Sequence, residues 1–123
     1  MRTPKNSRKA PPFKIVNLEL GMPTVPQALA RLTSELSLAR QEKWHLLKLV
    51  HGYGSTGAGG ALRIAVQKQL LEMTQNGQIR ACIYGENWSK TDEHTWRLLA
   101  SRPELKQDPD LGRRNLGITI VVL

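Results

Sequence analysis

The sequence predicts an α/β domain, and three observations carry that prediction. Short apolar runs of strand length alternate with longer segments whose apolar residues recur at helical spacing. A capping-box signature, Thr24-Val25-Pro26-Gln27, opens the first of the longer segments. A glycine-rich run from His51 to Gly60 sits where a strand hands over to a helix. The length of 123 residues suits one domain over residues 13–123, preceded by a tail over 1–12.

The tail, MRTPKNSRKAPP, has four basic residues (Arg2, Lys5, Arg8 and Lys9), three prolines and no acid, and reads as flexible. Phe13 to Leu20 reads as the first strand. Thr24 then caps a helix in which Val25, Leu29, Leu32, Leu36 and Ala39 form the inward face, with Arg31 and Arg40 on the polar side. Pro26 is tolerated there because a first-turn N–H has no intrahelical partner. Leu46 to Val50 is the second strand. After the glycine run, Leu62, Ala65, Val66, Leu70 and Met73 mark the apolar stripe of a second helix, which Asn76-Gly77 stops. Ile79 to Tyr84 is the third strand and Gly117 to Leu123 the fourth. Helical crossovers between the first three strands favour parallel pairing and right-handed connections. Gly85 to Leu116 is too long for a plain loop. Within it, Thr91 to Arg102 reads as a short helix packing Trp96, Leu98 and Leu99 and ending before Pro103.

The hydrophobic fraction, 40%, supports one ordinary core, and with three Trp, two Tyr and one Phe that core rests on aliphatic residues. The formal net charge is +8, half of it in the tail. Both a polyanionic partner and a basic surface serving solubility fit this surplus. The single cysteine, Cys82, excludes an intrachain disulfide and reads as a buried structural thiol in the third strand. No run resembles a signal peptide or a membrane span, so the expected compartment is the cytoplasm or another reducing one.

The segment HGYGSTGAGGALR and the helix after it resemble the Smr (small MutS-related) domain family. That family reads His-Gly-x-Gly, further glycine, then Leu-Arg opening a helix. Here His51, Gly52, Gly54, Gly57, Gly60, Leu62 and Arg63 match, with a loop a few residues longer, and the first helix matches from Thr24 to Leu29. The resemblance spans about residues 14–84 and 116–123 and is nearest to short free-standing Smr-like proteins. It implies a compact βαβαββ-type α/β domain, a four-stranded mixed sheet with two main helices and a long insertion before the last strand. It also implies binding of DNA or RNA, and in several members nicking. A second family hallmark, Asp-x-His-Gly after the first strand, aligns here with Glu19-Leu20-Gly21-Met22. Glu19 can replace the Asp, but Gly21 has no side chain to ligate, attack or transfer a proton.

The residues themselves suit a phosphate. Glycine lets the backbone approach an anion, and a helix start offers unpaired N–H groups and partial positive charge. The expected phosphate-binding set is His51, Gly52, Tyr53, Gly54, Gly57, Gly59, Gly60 and Arg63, with Arg113 and Arg114 near the last strand. Arg63 can add a bidentate contact. A glycine turn serving only tight helix–sheet packing is the alternative. No Gly-Lys-Ser/Thr follows the run, which argues against a nucleoside triphosphatase. Tyr53 and Trp88 can stack on an unpaired base, although Trp88 better suits pinning the insertion to the body. His45 and His94 lack metal-ligand spacing. Two readings follow: a nicking endonuclease with Glu19 and His51 as acid–base groups, joined by a divalent metal, or a non-catalytic adaptor docking on structured RNA, the ribosome or a protein. No other cofactor is called for, and a monomer is the default.

Overall fold

The computed structural model describes residues 12–53 and 59–123. The basic tail therefore lies outside the described residues apart from Pro12, as do Gly54 and Gly57. Among the described residues the order is β1 (Lys14–Asn17), α1 (Val25–Gln41), β2 (Leu46–Val50), α2 (Gly59–Gln75), β3 (Ala81–Tyr84), α3 (Glu93–Ser101) and β4 (Ile118–Val122). Short 3-10 turns at Gly85–Asn87 and Pro103–Gln107 flank α3. The architecture is α/β, built on a four-stranded mixed sheet.

Local chemistry sets the helix boundaries. The Thr24 hydroxyl accepts from the Gln27 amide and the Gln27 side chain accepts from the Thr24 amide, so the capping box is complete. At the far end of α2, Gly77 at φ +75° donates to Thr74 and Gln78 donates to Met73. These paired bonds are a Schellman close, and the left-handed residue they require is the glycine. Lys43, at φ +65°, fills the same position after α1, where Trp44 donates to Ala39.

The strands follow the order β1-β2-β4-β3. β1 and β2 pair in parallel, with Val16 opposite Leu49, while β4 is antiparallel to both β2 and β3. The three strands joined by helical crossovers thus point the same way, but only β1 and β2 pair directly. This corrects the expectation that the first three strands pair with one another in parallel: the insertion returns β4 into the gap between β2 and β3, giving the mixed sheet expected. Two strands are also shorter than expected. Leu18 still donates to the Val50 carbonyl, but the chain then turns at Glu19, whose carbonyl accepts from Met22. At the third strand, pairing with β4 begins only at Ala81.

Alternation along the central strands sorts the core into two layers. Leu47, Leu49 and Val121 face α1 and α2, packing with Leu32, Leu36, Val66 and Leu70. Leu46, Ile118 and Ile120 face the insertion, packing with Phe13, Trp88, Leu99 and Leu105. The insertion is therefore a third layer covering the second face of the sheet. Trp88 is fully buried there, whereas Trp96, expected to pack, is 61% exposed on the outer side of α3. Cys82 is only partly buried, against the α1–α2 layer.

One lysine interrupts the apolar pattern of β2. Lys48 is buried on the insertion face, and its ammonium lies 2.6 Å from Asp108 and 2.7 Å from Asp110. Trp88 donates its indole N–H to Asp108 at 2.9 Å, and the Lys48 ammonium sits 5.2 Å from the centre of the Phe13 ring. Asp110 also accepts from Asn115. Burial works to raise the Asp110 pKa, but the hydrogen bonds from Lys48 and Asn115 and the Lys48 charge outweigh it and hold the carboxyl below its ordinary value. Gly85 seals the same layer: a Cβ there would run into the Asn115 carbonyl oxygen.

Lys48→Met should lower stability by about 3–5 kcal/mol in urea denaturation at neutral pH, because it leaves two carboxylates without their cation. Asp110→Asn should cost less, and its deficit should shrink with acid. The Asp110 pKa is depressed in the folded chain, so its contribution is complete above the unfolded value of about 3.9 and is lost as pH falls through the folded value. A deficit that grows below pH ~4 would contradict that assignment.

Candidate functional site

The topology gathers one set of chain segments at one end of the sheet. β1, β2 and β3 share a direction, so the turns after all three lie at that end, and β4 starts there. Glu19 follows β1, His51-Gly52-Tyr53 follows β2, Glu86 follows β3, and Asn115 to Gly117 lead into β4. The start of α2, carrying Gly59, Gly60 and Arg63, returns from the same end. Ligand sites of open α/β sheets concentrate outside the carboxyl ends of parallel strands.

His51 is fully buried on the α1–α2 side. Its Nδ1 donates to the Gly52 carbonyl at 2.7 Å, and its Nε2 accepts from the Thr119 hydroxyl at 2.8 Å. A carbonyl can only accept, which assigns the proton to Nδ1 in the neutral ring. Burial pushes the His51 pKa below its ordinary value, opposed by the Gly52 hydrogen bond and reinforced by the nearby Arg63 charge. Both ring nitrogens are thus engaged with the protein. The amides of His51 and Gly52 donate to the Gly117 carbonyl, tying the end of β2 to the start of β4.

The backbone conformation at Gly52 favours glycine, and its Cβ position is closely covered. Its φ is +74°, and a Cβ would strike the carboxyl of Glu19. The Glu19 side chain therefore lies directly over the Gly52 backbone, beside but not in hydrogen-bond contact with the ring of His51, its expected acid–base partner, whose nitrogens bond to Gly52 and Thr119. Glu19 is placed by an Asn17 side chain that accepts from its amide, and by Gly21 at φ +82° in the turn that follows.

Arg63 is half-buried one turn into α2 and donates to Glu86 at 2.8 Å. Its Nε, and the second carboxylate oxygen of Glu86, have no hydrogen-bond partner among the described residues. Glu86 is absent from the set expected from sequence. The available signal was its place directly after the third strand, where side chains of parallel strands meet ligands.

Arg113 and Arg114 do not join Arg63. With Tyr53, Asp110, Asn115 and Leu116 they line an open cleft of about 500 Å³ beside the end of β2. Tyr53 is 55% exposed on this cleft, and both arginines are exposed. The buried Trp88 has no face free for a base. Among the described residues, no group of three or more His, Cys, Asp and Glu side chains is placed to hold a metal ion. No helix among them is long and apolar enough to cross a membrane.

This architecture, an α/β mixed sheet with its turns gathered at one end, is similar to a solved structure. The crystal structure of the Smr domain of Thermus thermophilus MutS2 superposes with a TM-score of 0.54 and 25% sequence identity. The match covers 89% of this chain and 96% of that one. No protein-family model and no curated protein matches the chain.

The buried, neutral His51 makes stability pH-dependent in a defined direction. The unfolded chain takes up a proton near pH ~6.5 and the folded chain resists it, so stability is complete above that value and falls as pH drops below it. Urea midpoints at pH 7.5 and 5.5 should differ more for the wild type than for His51→Gln. Within the window the excess slope approaches about 1.4 kcal/mol per pH unit. Equal slopes in the two proteins would show that His51 does not resist protonation.

Proposed function

We propose that this protein is a nucleic-acid-binding domain of Smr type, which holds backbone phosphate at the end of the sheet where the three crossover strands finish. One observation carries the reading: a single end of the fold collects the His51-Gly52-Tyr53 segment, the start of α2 with Gly59, Gly60 and Arg63, and the turn with Arg113 and Arg114. Each part suits an anion. The helix start supplies unpaired N–H groups, and the arginines supply charge-assisted bonds. The likeness to an Smr domain supports the same reading, as do the family motif in the sequence and the net charge of +8. Gly54 and Gly57, expected to contribute backbone N–H groups, lie outside the described residues.

The reading is of binding, not cleavage. General acid–base help requires a group within hydrogen-bond reach of the reacting atoms. His51 is buried with both nitrogens engaged, Gly21 has no side chain, and Glu19 stands alone over Gly52. In this reading His51 is a positioning residue that fixes the Gly52 carbonyl and the start of the glycine run. The partner is DNA or RNA, met as an adaptor meets it, and a divalent metal is called for only if cleavage occurs.

The purified full chain, tested by anisotropy and product gels on single-stranded RNA, duplex DNA and branched DNA with and without magnesium, should bind and leave the strands intact. Arg63→Ala should weaken binding about 10-fold or more, the scale of a lost hydrogen bond to a charged group. Glu86→Gln should tighten it severalfold, since it frees the Arg63 charge and removes a negative charge beside the phosphate. Deleting residues 1–12 should reduce the log–log salt slope on duplex DNA by at most about 3.6, for four basic residues. Absence of binding to all three substrates would overturn the reading, and robust nicking by independently purified protein would overturn its non-catalytic part.

A further inference from the structure

The cleft beside Tyr53 differs in character from the start of α2. Tyr53 is an exposed aromatic face, and across the cleft stand two guanidiniums that form no salt bridge with a described residue. The acid lining the cleft, Asp110, is hydrogen-bonded by Lys48 and Asn115, and its charge acts on Arg113 without forming a salt bridge, so it tempers the positive field of the cleft while leaving both guanidiniums open. The turn that presents them is held at several points. Its Asp110 amide donates to Asp108, its Gly112 amide donates to the Trp88 carbonyl, and its Asn115 side chain bridges Asp110 and the Gly117 amide. Arg114 is held at φ +53°, a conformation that non-glycine residues adopt rarely and that persists only where surroundings impose it. An anchored turn presents its charges at low entropic cost.

Resting on the proposed binding of nucleic acid, we propose that this cleft takes an unpaired nucleotide of a single-stranded segment. The base stacks on Tyr53, and the flanking phosphates lie against Arg113 and Arg114. A cleft of about 500 Å³ is within the size range of small-ligand sites. An aromatic face combined with a cationic groove is the physical basis of single-strand binding, because every base has a face to stack. In a duplex those faces are stacked on their neighbours and closed to Tyr53. The cleft is therefore selective for strandedness, whereas Arg63 and the start of α2 serve any phosphate.

The test uses the full chain with single-stranded RNA, single-stranded DNA and the duplex of one sequence, each as a separate arm. Tyr53→Ala should weaken single-strand binding about 10-fold, within the range for losing one stacked base, and weaken duplex binding far less. Tyr53→Phe should retain it. The Arg113→Ala/Arg114→Ala double variant should lower the single-strand salt slope by about 1.4, two contacts' worth. Tyr53 is largely exposed, so its variants should melt as the wild type does. Neutral Tyr53→Ala with an unchanged salt slope in the double variant, or equal losses on strand and duplex, would overturn the cleft assignment and leave the proposed binding standing. A wild-type chain that binds none of the three would overturn both.

Discussion

The buried contact between Lys48 and the carboxylates of Asp108 and Asp110 decides how the second half of the chain is arranged. The insertion from Gly85 to Leu116, between β3 and β4, has to be laid against a sheet face that would otherwise be open. Apolar burial of Trp88, Leu99 and Leu105 drives that docking, but burial is not directional. The ion pair is directional: it sets which residues of the insertion sit over the middle of β2. From that anchor follow the Trp88 bond to Asp108 and the Asn115 bond to Asp110. The position of the turn that carries Arg113 and Arg114 follows as well. A buried ion pair of this kind adds little net stability over an apolar replacement, so its visible consequence here is positional.

The other end of the constraint is at His51. Its ring bridges the Gly52 carbonyl and the Thr119 hydroxyl, so the exit of β2 is tied to β4, the same strand that the insertion delivers. The insertion layer and the start of the glycine run are thereby coupled through one pair of strands. That geometry explains how a histidine in a glycine-rich segment can matter without touching a ligand. It orients backbone, and in the proposed reading the groups left to meet an anion are amides and arginines. Burial and the loss of both ring nitrogens to internal bonds are the physical marks of such a role.

Much of this was legible in the residues. The two long helices, their capping box and glycine stop, and the four strands follow from periodicity and from short-range hydrogen-bonding chemistry, which act within a few residues of one another. The glycine run was legible for the same reason. Less so was the detail of the insertion: a helix was expected over Thr91 to Arg102 and Glu93–Ser101 is helical, and Trp88 pins the insertion as its sequence context suggested, but Trp96, also expected to pack, is exposed. Apolar content alone does not say which of two tryptophans a distant lysine and aspartate will hold.

The sequence by itself determined which segments are helix and strand, where the two long helices stop, and that a glycine-rich segment joins the second strand to the second helix. These are local properties, encoded in spacing, caps and backbone preference. Only the tertiary structure decided that β4 enters between β2 and β3, that Glu19 lies over Gly52, that Arg63 meets Glu86, and that Tyr53 shares a cleft with Arg113 and Arg114. Each of those is a contact between residues far apart in the chain. Such contacts depend on strand order and on the docking of the insertion, and a single sequence carries no local signal for either.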